Sequence, residues 1–147
     1  MIFKNAAVFL ENRFVTCDVA VEDGRIAAIG DDLGDGMDCT GLKLLPGLVD
    51  IHTHGCAGYD FDHATEVQLA EMSACYLRHG VTAVLATLMT NPRALLLDAA
   101  ARCGNAKAPI RGIYLEGPFF GPAKKGAHDA QYLSPIDRDF FAALDAA

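Results

Sequence analysis

The pattern of apolar and polar positions changes character once along the chain. Up to about residue 45 it follows a period of two. Val15-Thr16-Cys17-Asp18-Val19-Ala20-Val21 alternates, Asp23-Gly24 suits a tight hairpin turn, and Arg25-Ile26-Ala27-Ala28-Ile29-Gly30 is the returning strand. Asp31 to Asp38 reads as an acidic, Gly-rich loop. Residues 1–45 are thus predicted to be a small N-terminal β-module. From residue 46 the rhythm becomes strand, helix, strand, helix. Leu45 to His52 is the first strand. Thr65 to His79 is a helix, with Thr65 and Gln68 spaced as a capping box and Gly80 as its stop. Val81 to Thr87 is a second strand, apolar throughout as a parallel strand covered on both faces should be. Asn91 and Pro92 are placed as N-cap and first residue of a second helix running to about Cys103. Ile110 to Leu115 is the third strand, and Ser134-Pro135-Ile136-Asp137 opens a third helix.

Strand–helix alternation after a β-module predicts an α/β fold, with residues 46–147 forming the first three βα units of a TIM-type barrel. A whole (β/α)8 barrel takes ~250 residues, and three strands cannot close one. The barrel is therefore expected to be incomplete and the chain to be the N-terminal part of something longer. Bulk properties narrow the function. The chain is 52% hydrophobic and 21% charged, which calls for a substantial core. A net charge of −7, with Lys124-Lys125 the only adjacent basic pair, argues against a nucleic-acid partner. The longest apolar stretches, such as Val81 to Met89, fall short of the ~20 residues of a membrane span, and the N-terminus lacks a signal-peptide layout. Five scattered cysteines without a C-x-x-C pair read as reduced thiols, mostly small core residues, of a cytoplasmic protein. Only Cys56 lies near the chemistry described next, as a candidate to line it.

That chemistry begins at His52-Thr53-His54. Residues i and i+2 of a strand share a face, so both imidazoles project together where the first strand ends. A divalent metal needs such a pair of nitrogens on a rigid element. The motif alone is weak. A second strand-end cluster, Tyr114-Leu115-Glu116-Gly117-Pro118-Phe119, strengthens it by setting a carboxylate on the same predicted rim. Glu116 reads as a metal ligand or general acid/base, against the blander reading of a solvated strand end. The loop Phe119 to His128 is long and Gly/Pro-rich, as substrate-holding loops often are. In it His128 is a candidate to bond a sugar or carbonyl oxygen, while at least one of Lys124 and Lys125 is expected to be merely solvated. Thr87 and Thr90 are candidates to face the site, although β-branched residues suit any strand. His63 and His79 read as structural, and Asp60 and Asp62 as turn residues.

These motifs resemble one family closely. Pro46-Gly47-Leu48-Val49-Asp50-Ile51-His52-Thr53-His54-Gly55 is similar to the first barrel strand of the amidohydrolase superfamily. Within it, Gly55-Cys56-Ala57-Gly58-Tyr59-Asp60-Phe61, His79-Gly80-Val81-Thr82, Thr87-Leu88-Met89-Thr90, Leu115-Glu116-Gly117-Pro118-Phe119 and Lys124-Lys125-Gly126-Ala127-His128 resemble the N-acetylglucosamine-6-phosphate deacetylases. The resemblance implies that Glu116 binds the catalytic divalent metal and that His52 and His54 hold a second ion in members that have one. Zinc or iron, one or two ions, are the implied cofactors. Ala127 and His128 match the pair that contacts the sugar phosphate. The family's other metal histidines, phosphate-binding residues and catalytic aspartate match nothing here, so no catalytic residue is assigned and the chain alone is expected not to turn over. The implied reaction is metal-assisted hydrolysis of N-acetylglucosamine 6-phosphate to acetate and glucosamine 6-phosphate, in a homo-oligomer. Two rivals stay open: another amidohydrolase, dihydroorotase- or deaminase-like, and a non-catalytic truncated fragment.

Overall fold

The computed structural model describes residues 1–147 as two compact units, Met1–Pro46 and Gly47–Ala147. In the first, β1 (Ile2–Leu10), β2 (Arg13–Glu22) and β3 (Arg25–Gly30) form an antiparallel meander. Both connections are two-residue turns with positive φ at each central residue, Glu11 and Asn12 at 47° and 64°, Asp23 and Gly24 at 50° and 72°. That geometry carries the twist of the strands it joins. Two short strands, β4 (Met37–Asp38) and β5 (Lys43–Leu44), pair parallel with β1. The predicted Asp31–Asp38 loop thus ends as a strand, because Phe3 and Lys4 offer it an unpaired edge. Ala6, Val8, Cys17, Val19 and Cys39 form the core. Beside them the buried Asp18 carboxylate accepts the Asn5 and Leu33 N–H groups at 2.9 and 3.2 Å, fastening the loop to the sheet.

The second unit runs β6 (Leu48–Thr53), β7 (Gly55–Cys56), β8 (Tyr59–Asp60), α1 (Glu66–Arg78), β9 (Val81–Leu88), α2 (Arg93–Gly104), β10 (Ile110–Leu115) and α3 (Arg138–Asp145). β6, β9 and β10 form a parallel sheet with β9 in the middle, while β7 and β8 pair as a small hairpin. The core follows from two periods. On β9 every second residue, Val84, Ala86 and Leu88, is wholly buried. Against them pack Leu69, Met72 and Tyr76 of α1, and Leu96, Ala99, Ala100 and Cys103 of α2, each set at helical spacing. Burying one such leucine contributes about 1.5–3 kcal/mol.

The sheet is unevenly covered. Leu48, Val49 and Ile51 of the edge strand β6 are 61%, 68% and 60% exposed, whereas on β9 Leu85 is largely and Thr87 wholly buried, and only Thr82 of that strand is exposed. The strand boundaries follow local chemistry. β6 starts at Leu48 rather than Leu45, because Pro46 has no N–H to donate and Leu44 is paired in β5. At α1 the Thr65–Gln68 capping box forms in both directions, with His79 as C-cap and Gly80 at φ +80°. Such caps are worth about 1 kcal/mol. α2 begins one residue later than expected, with Pro92 as N-cap, since the Asn91 amide is turned to the Asp62 carboxylate at 3.0 Å. Asp137 caps α3 through the Asp139 and Phe140 N–H groups. All five cysteines are free, with Cys17, Cys39 and Cys103 buried. No helix is long and apolar enough to cross a membrane.

Candidate metal centre

His52 and His54 stand at the end of β6, and Glu116 directly follows β10. Although β9 lies between those strands, the three side chains meet. His52 Nε2 and His54 Nε2 lie 3.0 and 3.1 Å from Glu116 Oε2. All three potential ligand atoms fall within 4.8 Å of one another. Two neutral nitrogens and one carboxylate oxygen are a donor set for zinc or a similar divalent ion. Edges of 3.0–3.1 Å are also close to the ~3.3 Å expected between ligands bound at about 2.0 Å in a tetrahedral shell. The residues therefore fit the ion. The two imidazoles are nearly half exposed and Glu116 is 25% exposed, so the centre is reachable from solvent.

The backbone around the cluster is fixed tightly. Glu116 N–H donates to Leu88 O at 2.8 Å, and Thr90 Oγ1 donates to Glu116 O at 3.2 Å, so the end of β9 grips Glu116 on both sides. Gly117 follows at φ +89°, where a Cβ would fall 2.0 Å from Thr90 Oγ1, and only glycine meets both conditions. On β6, His52 N–H donates to Asp50 Oδ1 at 3.1 Å. Thr53, pointing away from the two histidines, bonds the Tyr76 hydroxyl of α1 at 3.0 Å. Burial pushes that phenol up to about 12, so it keeps its proton. The His52 bond, followed by His128 and the charges of His54 and His52, holds the Glu116 carboxyl below its ordinary value against a partial desolvation.

His128 closes the site from a distance in sequence. The Phe119–His128 loop folds back so that His128 Nε2 lies 3.3 Å from Glu116 Oε1, with its ring 4.7 Å from that of Phe120. His128 is 93% buried and its Nδ1 has no protein partner. Lys125 Nζ donates to His128 O at 2.7 Å, so this lysine fastens the loop, while Lys124 is exposed. Ala127 is exposed beside it.

Other sequence expectations resolve differently. Cys56 does not line the cluster; its thiol bonds Met72 O on α1 at 3.6 Å. Asp62 is more than a turn residue. It is buried, accepts from Met89 N–H at 3.1 Å and from the Asn91 amide, and burial raises its pKa. Asp60 does serve its turn, accepting from His63 N–H at 2.9 Å and pairing with the His63 ring, and His79 Nδ1 donates to Cys75 O at 2.8 Å. Sequence reasoning overlooked Tyr114, whose ring stacks on His52 at 4.6 Å. Its position two residues before Glu116, and so on the same face, was the available signal.

An N-acetylglucosamine-6-phosphate deacetylase of Vibrio furnissii is 39% identical over 136 residues, 86% of this chain and 33% of its own length. An allantoinase of Escherichia coli is 56% identical over 57 residues, 37% of this chain and 13% of its own. The solved structure of an N-acetyl-D-glucosamine-6-phosphate deacetylase from Mycobacterium smegmatis matches the fold with a TM-score of 0.85, at 24% identity, over 98% of this chain and 43% of the other. The chain spans about a third to two-fifths of the deacetylase relatives it matches, and its open sheet is a partial barrel. The model of the amidohydrolase family matches residues 44–143, which takes in both strand-end motifs and most of the chain, and the chain belongs to that family.

Proposed function

We propose that the chain supplies one side of the active centre of a metal-dependent hydrolase that deacetylates N-acetylglucosamine 6-phosphate. The observation that carries the reading is the convergence of His52, His54 and Glu116 within 4.8 Å at the ends of two parallel strands. Residues 46–147 hold this chemistry, and residues 1–45 form a separate β-module. A bound divalent ion supplies Lewis acidity for an amide carbonyl and acidifies water. Glu116 brings the negative charge that offsets the ion, and its Thr90 and Leu88 contacts keep it aimed. His52 and His54 offer neutral nitrogens from a strand that cannot rotate, because Thr53 is tied to Tyr76. In this reading His128, beside Glu116, and Ala127 contact the sugar. With no assignable group to protonate a leaving amine, the chain binds metal and does not complete turnover by itself. Zinc or iron as the ion, a homo-oligomer as the assembly and the cytoplasm as its place complete the proposal.

Extent of similarity favours the linear amide over a ring. The likeness to the Vibrio furnissii deacetylase runs over 136 residues, whereas the stronger local identity to an allantoinase covers 57. The latter supports hydrolysis of a cyclic amide as the second reading. A chimera separates them: this chain replaces the matching segment of the Vibrio furnissii enzyme, with circular dichroism and metal content confirming assembly. The expected result is acetate release from N-acetylglucosamine 6-phosphate, abolished by Glu116→Gln. Ring opening of allantoin without acetate release contradicts the deacetylase reading.

A further inference from the structure

His52 lacks the support that metal-binding histidines ordinarily have. Such a ring usually donates its second N–H to a carboxylate, carbonyl or water, which fixes its orientation. Here the polar contact of the His52 ring is made by Nε2, to Glu116 Oε2, and nothing in the protein bonds Nδ1. The side chain is 47% exposed and hangs from an edge strand. One neighbour compensates. The Tyr114 ring stacks on it with centroids 4.6 Å apart and planes 25° from parallel, within the favourable range for offset aromatic pairs. The other edge of the histidine pair is an edge-on contact with His54, at 5.5 Å and 65°.

The sheet is built to let these two rings meet. His52 comes from β6 and Tyr114 from β10, so their contact spans the central strand. The residue of β9 in register with Tyr114 is Thr87, small enough to lie beneath the pair and wholly buried. Thr87 Oγ1 has no hydrogen-bond partner.

We propose that Tyr114 is a positioning residue of the metal centre: its ring holds the His52 imidazole so that Nε2 faces Glu116, in place of a hydrogen bond at Nδ1. The proposal rests on the reading that His52, His54 and Glu116 bind a divalent cation. It is the ring, not the phenolic hydroxyl, that acts.

The test compares the 147-residue chain with its Tyr114→Phe and Tyr114→Leu variants, each checked for folding by circular dichroism. Three readouts are used: zinc affinity by competition with a chromophoric chelator, the visible spectrum of bound Co²⁺, and the NMR shifts of the His52 ring protons without metal. Tyr114→Phe is expected to bind zinc within twofold of the parent, with the same Co²⁺ bands. Tyr114→Leu is expected to bind about tenfold more weakly, at the low end of what outer partners of metal ligands contribute. Its Co²⁺ bands should move, and the metal-free His52 ring protons should lose their upfield displacement. Equal zinc affinity in the parent and Tyr114→Leu overturns the proposal while leaving the metal centre intact. So does a Phe variant as weak as the Leu variant. Failure of the parent to bind either cation overturns the metal reading, and this proposal with it.

Discussion

Asp62 and Glu116 belong to the same α/β unit and meet opposite surroundings. Asp62 is buried, and its carboxylate accepts the Met89 N–H and the Asn91 amide, while Arg102 donates to the backbone carbonyl of the same residue at 2.8 Å. Glu116 is partly exposed, and imidazole nitrogens stand 3.0, 3.1 and 3.3 Å from its oxygens. Burial raises the pKa of the first, and the histidine bond lowers that of the second. The difference lies in the partners. Backbone and amide N–H groups have nothing else to offer, so Asp62 is a clamp between the β8–α1 segment and the end of β9. Imidazoles can surrender a proton and turn the same nitrogen to a cation, so the surroundings of Glu116 suit a shared ion. An acidic residue in a loop is thus read by what donates to it.

The largest expected effect that separates the two is on metal affinity. Glu116→Gln should weaken zinc binding by more than the roughly 10–100-fold that an outer partner costs, while Asp62→Asn should change it by less than twofold. Chelator competition on both variants decides this, and a reversed order breaks the comparison. The next is on stability. Asp62→Ala strands the Met89 N–H and the Asn91 amide, at about 1–3 kcal/mol. Glu116→Gln, at a more exposed position without backbone donors, should shift the urea midpoint of the metal-free chain far less.

The two carboxylates should also respond to pH with opposite sign. A lowered pKa means that Glu116 contributes stability above its unfolded value, and this is lost as pH falls through the folded value. A raised pKa means that the Asp62 contribution is fully present below its unfolded value and fades as pH rises through the folded one. Urea denaturation from pH 3 to 7 should therefore show the acid-side loss reduced in Glu116→Gln and the high-pH fade removed in Asp62→Asn. The smallest expected effect concerns the unpartnered Thr87 hydroxyl. Thr87→Val replaces it by a methyl group of similar size and should raise the stability of the metal-free chain by about 1 kcal/mol or less.

Much of the site was legible because it depends on short-range rules. The period of two placed His52 and His54 on one face, and the Thr65–Gln68 box and Gly80 bounded α1. Parallel strands alternating with helices put the ends of β6 and β10 on one rim, where Glu116 joins the histidines. What was hidden is long-range. The return of His128 to Glu116 depends on the path of a ten-residue loop, and the stacking of Tyr114 on His52 requires two side chains to reach across β9. The role of Asp62 depends on donors 27 and 29 residues away, and claiming Asn91 for that clamp is also what moved the start of α2. Turn chemistry suffices to write Asp62 into a loop, and only the fold shows that it is buried.

The proposed chemistry turns on whether His52, His54 and Glu116 hold one ion between them. The most direct measurement is a Co²⁺ titration of the 147-residue chain, followed by its visible absorption, beside the His54→Ala variant. Saturable visible bands are expected that zinc displaces and that are absent or much weaker in His54→Ala. Bands that survive unchanged in the variant, or no bands in the folded parent, would contradict the shared ion.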